Sequence, residues 1–267
     1  MGMKRIHIVG CGPRSGTTLM AEIMIACFEI DLHTEHETSI FKPPRRRADV
    51  FLTKRPRDIL VAGPILRTMP SLHVIYMIRD PRDMVVSRHR KDPERYWSSL
   101  RYWKKYIDYG ERLRDHPRFI TLRYEDLVRE PDTIQALLME RIPFLEKRTE
   151  FSQYHIIARP SEDSVKALRG VRAISASSVG NWRSHLPRVA GQVQVHGSIS
   201  EDLIHFGYEE DDSWLSELVG VDPDLSESHW PEHFSRRDIK VRKRGRYVKA
   251  VIAPLRNWLY PRLRRSD

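Results

Sequence analysis

The chain has 267 residues, of which 40% are hydrophobic, and a formal net charge of +10. This length suffices for one well-buried α/β core, and the lack of any apolar run of about 18 residues excludes a membrane-spanning helix. Only two cysteines occur, Cys11 and Cys27, so no disulfide framework is expected and a reducing compartment fits.

The first predicted strand, residues 5–10, begins so close to Met1 that we expect no signal peptide and a cytoplasmic location. A loop with glycines at positions 10, 12 and 16 joins it to a predicted helix over residues 16–28. Glycine lets the backbone turn sharply, so that successive N–H groups converge on an anion at the helix N-terminus. A Walker A loop would have a lysine directly after its last glycine, but here Thr17 follows and the only cation is Arg14. The loop therefore predicts a site for a single phosphate, with hydroxyls and a guanidinium beside it.

Apolar periodicity predicts the remaining elements in chain order. They are helix 55–68, strand 73–79, helices 82–90 and 95–114, strand 118–123, helix 132–142, a loop over 150–182 and helix 199–206. Strands that alternate with helices predict an α/β fold in three layers, with a central, mostly parallel sheet. The loop 150–182 is the expected lid over a bound nucleotide.

A second loop that suits an anion follows the strand 73–79. Arg79 ends this strand, Asp80 suits the N-cap of the next helix, and Pro81 suits its first turn. Ligands of open α/β sheets bind outside the carboxyl ends of the strands. Two such loops at one edge of a sheet predict a ligand with two separate phosphates.

Four segments in this order resemble the PAPS-dependent sulfotransferase family, with motifs nearest to its carbohydrate and tyrosyl-protein branches. They are P-R-S-G-T-T at 13–18, R-D-P-R-D at 79–83 with Ser87 beyond it, R-Y-E-D-L at 123–127 and G-N-W at 180–182. The resemblance implies a P-loop-like sulfotransferase fold. It also implies transfer of a sulfuryl group from 3′-phosphoadenosine 5′-phosphosulfate (PAPS) to a hydroxyl or amine of an acceptor, without a metal. We expect a saccharide or glycolipid acceptor, with the tyrosine of a protein as an alternative.

The resemblance also implies the cofactor contacts. The 5′-phosphosulfate would lie on Arg14, Ser15, Gly16, Thr17 and Thr18. The 3′-phosphate would lie on Arg79 and Ser87, with Arg172 also in reach, while Tyr124 would lie against the adenosine and Trp182 would belong to the late cofactor loop.

For the transfer itself, the resemblance implies cations and a base. Arg14 and Lys54 would meet the charge that builds on the departing nucleotide. Glu37 matches the glutamate before threonine in the tyrosyl-protein branch and is our first choice of base. His36 is the second choice, because a neutral imidazole suits this role near neutral pH, and Glu35 is the third.

Two other classes of function remain open from the sequence. A P-loop kinase of a small metabolite would share the fold and the anion loop, although the missing lysine argues against it. A non-catalytic nucleotide-binding protein would keep both loops without needing Glu37 or Lys54.

Charge divides the chain into three predicted parts. Residues 1–208 form the sulfotransferase domain, and 209–235 an acidic linker or extension with nine acids and no Lys or Arg up to residue 232. The basic tail, residues 236–267, has 12 basic and 2 acidic residues. Its interleaved apolar residues suit peripheral attachment to an anionic membrane surface, with a disordered solubilising extension as the alternative. Nucleic-acid binding is not expected, because an arm that tracks phosphates needs fewer apolar residues. The oligomeric state is left open.

Overall fold

The computed structural model describes residues 3–89, 92–168 and 170–229, together with Val248 and Ile252. Its strands are β1 (Lys4–Gly10), β2 (Leu32–His33), β3 (Val50–Lys54), β4 (Leu72–Ile78), β5 (Arg88–His89), β6 (Asp92–Tyr96) and β7 (Phe119–Arg123). Five of them form a parallel sheet in the order β2-β3-β1-β4-β7, and β5 and β6 form a separate antiparallel pair.

The helices pack on both faces of this sheet. They are α1 (Thr17–Cys27), α2 (Ile59–Thr68), α3 (Pro81–Val85), α4 (Leu100–Glu111), α5 (Tyr124–Arg129), α6 (Pro131–Arg141), α7 (Tyr154–Ile157), α8 (Glu162–Leu168), α9 (Leu186–His196) and α10 (Ser200–His205). Short 3-10 turns cover Pro56–Asp58, Phe151–Gln153, Asn181–His185 and Ser213–Leu218.

The side chains of β1 alternate between two hydrophobic clusters. Ile6 and Ile8 pack with residues of α1, α5 and α6 on one face of the sheet. Val9 packs with residues of α2 and α4 on the other face. A third cluster surrounds Trp182, between α3, α9 and α10. The predicted α/β architecture with a central parallel sheet and helices on both faces is therefore confirmed.

Several predicted boundaries differ from the structure. The helix predicted over 82–90 ends at Val85, because the chain turns there into the pair of β5 and β6. The helix predicted from residue 95 begins at Leu100, since Tyr96 lies in β6. The predicted loop 150–182 contains a 3-10 turn and the short helices α7 and α8.

The sequence pattern does not predict β3 or α9. All five residues of β3 are buried between its neighbours β1 and β2, so it shows no alternation of apolar and polar residues. This strand matters for the site, because its register places Lys54 beside Ile8, two residues before the loop that follows β1.

Parallel pairing brings the carboxyl ends of all five strands to one edge of the sheet. The chain leaves the central strand β1 through α1 towards β2 and β3, and it then crosses through α2 to β4 on the other side. Such a reversal of strand order opens a crevice at the carboxyl edge, where ligands of α/β proteins bind. The loops after β1 and β4 meet in this crevice.

The acidic residues up to 229 pack against the rest of the fold. Trp214 is buried beside Trp182, and the Tyr96 hydroxyl donates to Asp224 Oδ2 at 2.7 Å. The buried Arg188 donates to the carbonyl oxygen of Ser226. Residues 209–229 therefore form a packed extension of the domain. The predicted basic tail lies outside the described residues, apart from Val248 and Ile252.

None of the described helices combines the length and the apolar character needed to cross a membrane.

Candidate active site

A cavity of about 850 Å³ lies at the carboxyl edge of the sheet, within the range of small-molecule sites. It brings together most of the residues predicted to bind the cofactor, together with the first choice of base. These are Arg14, Gly16, Thr17, Thr18, Glu37, Arg79, Ser87, Tyr124 and Arg172. Ser15, Lys54 and Trp182 are not among the residues that line it.

The loop after β1 is held in an unusual backbone conformation. Arg14 has φ +70° and Gly16 has φ +87°, in the left-handed region that a side chain rarely adopts. The fully buried Ser15 donates its hydroxyl to the carbonyl oxygen of Gly12 at 2.9 Å, so this side chain braces the loop from behind. A Cβ at Gly16 would meet the ring of Tyr124, which requires glycine there for a second reason. The α1 N-terminus follows directly, and its first turn has no acidic residue to offset the helix dipole.

Arg14 joins the two loops across the cavity. Its Nε donates to Ser87 Oγ at 3.0 Å, so residues 73 positions apart in sequence form one wall. Both side chains were predicted to contact the cofactor. The guanidinium thus lies between the sites that the sequence analysis assigned to the two phosphates.

Arg79 lies at the carboxyl end of β4 and contacts three parts of the fold. It donates to the carbonyl oxygens of Arg14 at 3.1 Å and Ser178 at 2.9 Å, and its guanidinium lies 4.4 Å from the ring centroid of Tyr124. The hydroxyls of Tyr124 and Ser178 are hydrogen-bonded at 2.9 Å. The buried Arg79 Nε has no hydrogen-bond partner among the described residues. An anion in the cavity would satisfy this donor.

The segment that follows Arg79 is held by acidic side chains. Asp80 Oδ1 caps α3 by accepting from the Arg82 amide at 2.8 Å, and Glu125 Oε1 accepts from the Asp80 amide at 3.0 Å. Burial raises the pKa of Glu125 and of Asp83. Asp83 accepts from the amides of Gly180 and Trp182, so it fixes the end of the predicted lid.

The structure does not bring the Trp182 indole to the cavity. The ring is 1% exposed and lies between Arg82, whose guanidinium is 4.2 Å from its centroid, and Trp214. Its predicted cofactor contact stays a prediction, while its neighbour Asn181 lines the cavity. Arg172 also lines the cavity, next to Tyr154, whose pKa is raised by burial.

Lys54 reaches the loop after β1 from the neighbouring strand. Its Nζ donates to Thr18 Oγ1 at 2.9 Å, and the side chain is almost completely buried. Burial lowers the pKa of Lys54, and the negative charges of Glu37 and Glu22 raise it in part. The ammonium is therefore held beside the first turn of α1 with Glu37 near enough to act on it.

The three candidate bases differ in position. Glu37 lines the cavity, whereas His36 does not and instead pairs with Asp163 of α8 at 2.9 Å. Glu35 is exposed and is not part of the cavity wall. The structure brings Glu37, and not His36 or Glu35, together with Arg14 and the amides of the loop.

The cavity wall also includes residues outside the predicted cofactor contacts. They include Pro56, Arg57, Tyr106 and His185, together with Trp97 before α4 and Tyr102 within it. Sequence reasoning missed Pro56 and Arg57, although they follow Lys54 by only two and three residues. The described residues contain no group of three or more His, Cys, Asp and Glu side chains that could hold a metal ion.

Part of this chain matches a model of a known protein family. Residues 37–142 match a family model described as the sulfotransferase family, and this range includes Glu37, Lys54, Arg79, Ser87 and Tyr124. A search of curated protein sequences finds no match.

Several solved structures are similar to this chain. One is a sulfotransferase domain from the curacin biosynthetic pathway, at 14% identity and TM-score 0.44, covering 69% of this chain and 91% of that chain. Another is the sulfotransferase domain of the Synechococcus PCC 7002 olefin synthase, at 14% identity and TM-score 0.41, covering 69% and 89%. A third is retinol dehydratase in a complex with retinol and PAP, at 12% identity and TM-score 0.36, covering 85% and 84%.

Proposed function

We propose that this chain, a sulfotransferase by the family match of residues 37–142, transfers a sulfuryl group from PAPS to a hydroxyl of a saccharide, free or lipid-linked. The observation that carries the donor assignment is the convergence of two anion-binding loops on one cavity. Arg14 and Ser87 join these loops, and Arg79 offers a buried, unsatisfied Nε among the described residues. Two phosphates on one ribose, together with the adenine that this ribose carries, fit this pattern of donors and the ring of Tyr124.

Each residue of the site then has a role that follows from its position. PAPS supplies the sulfuryl group, whose bond to the bridging oxygen of the 5′-phosphate breaks as the bond to the acceptor oxygen forms. Glu37 takes the proton of the acceptor hydroxyl. Arg14, Lys54 and the amides at the α1 N-terminus meet the negative charge left on the nucleotide. These groups are already bonded in place, so little reorganisation is needed during the transfer.

Three aromatic residues that line the cavity support an acceptor with a ring. They are Trp97, Tyr102 and Tyr106, and the hydroxyls of the two tyrosines are hydrogen-bonded to each other. Aromatic side chains offer an apolar face together with a polar edge, which suits the apolar face and the hydroxyls of a sugar. An acceptor panel of saccharides and tyrosyl peptides tests this assignment. Faster sulfation of the peptides would overturn the assignment of a saccharide and would identify the phenol of tyrosine as the acceptor.

Calorimetric titration with adenosine 3′,5′-bisphosphate (PAP), the stable product of PAPS, tests the donor assignment. The purified protein should bind PAP and should bind ATP with Mg²⁺ much more weakly. Preference for Mg-ATP would instead support the kinase alternative and overturn the proposed donor.

We also propose that the tail holds the enzyme at an anionic membrane, at its cytoplasmic face. Two apolar residues of the tail, Val248 and Ile252, are 57% and 47% exposed. Basic residues around them would favour anionic lipid headgroups. Attachment there would bring the site to a lipid-linked acceptor, and liposome flotation tests it.

A further inference from the structure

Four polar side chains form a buried cluster behind the segment that carries Glu37. They are Arg5 and His7 of β1, Thr53 of β3 and Asp58 at the start of α2. The first three are fully buried and Asp58 is 6% exposed. None of the four lines the cavity, so the proposed chemistry does not use them directly.

The members of this cluster are joined to one another. His7 Nδ1 and Thr53 Oγ1 are hydrogen-bonded at 2.7 Å, and His7 Nε2 lies 3.5 Å from Asp58 Oδ2. Arg5 Nη2 donates to Thr53 Oγ1 at 3.4 Å, and Arg55 Nη1 lies 3.8 Å from Asp58 Oδ1. The carboxylate of Asp58 thus faces the positive charges of Arg5 and Arg55 and the imidazole of His7.

The cluster also holds the residues that directly follow Glu37. The Ile40 amide donates to Asp58 Oδ2 at 2.7 Å, and Arg5 Nη2 donates to the Ser39 carbonyl oxygen at 3.4 Å. The Thr38 amide donates to the carbonyl oxygen of Lys54 at 2.9 Å. Three successive residues after Glu37 are therefore fixed to β1, β3 and the start of α2, and Ile40 is fully buried.

Stability alone is a poor reason for such a cluster. Burial lowers the pKa of Arg5 to about 10 and also lowers that of His7, which shows that the surroundings disfavour charge. Nε and Nη1 of Arg5 have no hydrogen-bond partner among the described residues. Apolar residues of similar volume often match or exceed the stability of such buried ionic groups. What apolar residues would not supply is an acceptor for the hydrogen bond that the Ile40 amide donates to Asp58.

We infer that Asp58 is a positioning residue, which helps to set Glu37 against Lys54 by fixing Ile40 to the start of α2, next to the bond between the Thr38 amide and β3. This inference rests on the proposed function, since it concerns the base and the cation of that reaction. Asp58 contacts neither substrate nor cofactor. Asp58 affects Glu37 indirectly, because the hydrogen bond from the Ile40 amide to Asp58 restricts the backbone that follows Glu37.

The test compares Asp58→Ala with the matched control Gln135→Ala. Gln135 is equally buried on the opposite face of the sheet, and its Oε1 accepts from the Phe151 amide at 3.0 Å. Both variants lose one buried acceptor for a backbone amide. Asp58→Ala also removes the negative charge beside Arg5 and Arg55, and Gln135→Ala also removes the hydrogen bond to the Thr149 carbonyl oxygen, so thermal melts report the loss of Tm of each variant. Asp58→Ala should lower kcat by about 100-fold, as expected for a catalytic group displaced by about 1 Å, with Kd for PAP unchanged. Gln135→Ala should keep the kcat of the parent protein.

Asp58→Asn keeps a side-chain oxygen that can accept from the Ile40 amide, so it should have most of the kcat of the parent protein. This variant also provides a test if Asp58→Ala does not fold. Equal kcat for Asp58→Ala and Gln135→Ala would overturn the inference. A parallel loss of PAP binding in Asp58→Ala would also overturn it, because the effect would then be general.

Amide hydrogen exchange over residues 36–41 provides a readout that needs no substrate. Loss of the bond to Asp58 should speed exchange of the Ile40 amide by about tenfold in Asp58→Ala and not in Gln135→Ala. Unchanged exchange overturns the inference whatever the activity. A third outcome separates the two proposals. If the Ile40 amide exchanges faster in Asp58→Ala but the parent protein binds no PAP, the proposed function is overturned and the positioning of residues 38–40 is not.

Discussion

The guanidinium groups of Arg79 and Arg118 both donate to backbone carbonyl oxygens, at opposite edges of the sheet. Arg79, after β4, donates to the carbonyl oxygens of Arg14 and Ser178 beside the cavity. Arg118, just before β7, donates to the carbonyl oxygens of Leu66, Met69 and Leu72. Only Arg79 also has a buried nitrogen that lacks a partner within the described residues. Position at the carboxyl edge therefore distinguishes Arg79, the proposed binding side chain, from Arg118, which bonds only to the fold.

Arg79→Ala should weaken PAP binding by about 2–5 kcal/mol, the usual cost of removing one partner of a buried charge pair. Calorimetry measures this change directly. Arg118→Ala is the control, and it should lower Tm while leaving PAP affinity unchanged. Equal PAP affinity in Arg79→Ala and the parent protein would remove Arg79 from the nucleotide site.

Glu37→Gln should lower turnover by about 10²–10⁴-fold with PAP binding unchanged, because the amide cannot accept the acceptor proton. Single-turnover rates with PAPS, together with calorimetry, check both parts. Glu35→Gln and His36→Gln are matched controls from the same segment and should stay active. A larger loss in His36→Gln would transfer the role of base to His36.

In the profile of kcat/KM against pH, the alkaline decrease should begin at a pH below 10.5, the ordinary pKa of lysine. Burial lowers the pKa of Lys54, and only the protonated ammonium offsets charge on the nucleotide, so activity is lost as the pH rises through this lowered pKa. Lys54→Arg should move the alkaline limb of kcat/KM to higher pH, since a guanidinium stays charged.

Lys104→Arg is the control for Lys54→Arg. Lys104 Nζ donates to the carbonyl oxygens of His196 and Ser198, away from the cavity. Its replacement should leave the pH profile unchanged. An alkaline limb that does not move in Lys54→Arg would contradict the role given to Lys54.

At the scale of elements, basic side chains close the carboxyl ends of helices. Arg118 bonds the last carbonyls of α2, Lys104 those of α9, and Arg123 the carbonyls of Phe206 and Gly207 just after α10. Cations are favourable at helix C-termini because the exposed carbonyls carry negative partial charge. The N-terminus of α1 differs, because no side chain caps it and its first residues line the cavity.

Gly16→Ala should destabilise the fold and abolish PAP binding. Its φ of +87° strains an alanine, and its Cβ would meet the Tyr124 ring that lines the cavity. Gly220→Ala is the matched control, with φ +74° and open space around its Cβ. It should cost only the backbone strain of about 1–3 kcal/mol and should retain PAP binding. Thermal melts report the loss of stability in both variants, and calorimetry reports their PAP affinity. Equal PAP affinity of Gly16→Ala and Gly220→Ala would contradict the proposed contact between the loop and the Tyr124 ring at the nucleotide site.

At the scale of the whole molecule, charge is separated between body and tail. Residues 1–235 contain 34 basic and 34 acidic residues, so the excess of +10 belongs to residues 236–267. The acidic stretch up to residue 229 is packed on the body through Tyr96 and Arg188. The body is thus neutral in sum, and any attraction to an anionic surface should come from the tail.

Flotation with anionic liposomes should recover the full chain and not a chain ending at Phe234. Neutral liposomes should recover neither, because the attraction depends on anionic headgroups. Replacing Trp258 and Leu259 by serine keeps the charge of the tail and should weaken flotation if apolar contacts contribute. Equal flotation of the full and the shortened chain would reject membrane attachment through the tail.

Local patterns in the sequence determined the sulfotransferase resemblance, the α/β fold and most of the predicted cofactor contacts that line the cavity. The glycines before α1, the cap at Asp80 and the apolar runs of β1 and β4 act within a few neighbouring residues, so they can be read without a structure. Four predicted residues that line the cavity lie just after a short element. Arg14 comes after β1, Arg79 after β4, Ser87 after α3 and Tyr124 after β7.

Only the tertiary structure decided how distant segments combine. The place of Lys54 depends on β3, whose five buried residues show no period and whose register is set by pairing with β1. The choice of Glu37 over His36 as the side chain at the cavity depends on Asp163 and on the contacts that follow Glu37, all remote in sequence. Such contacts are set by the packing of the whole chain, which a pattern of a few residues does not encode.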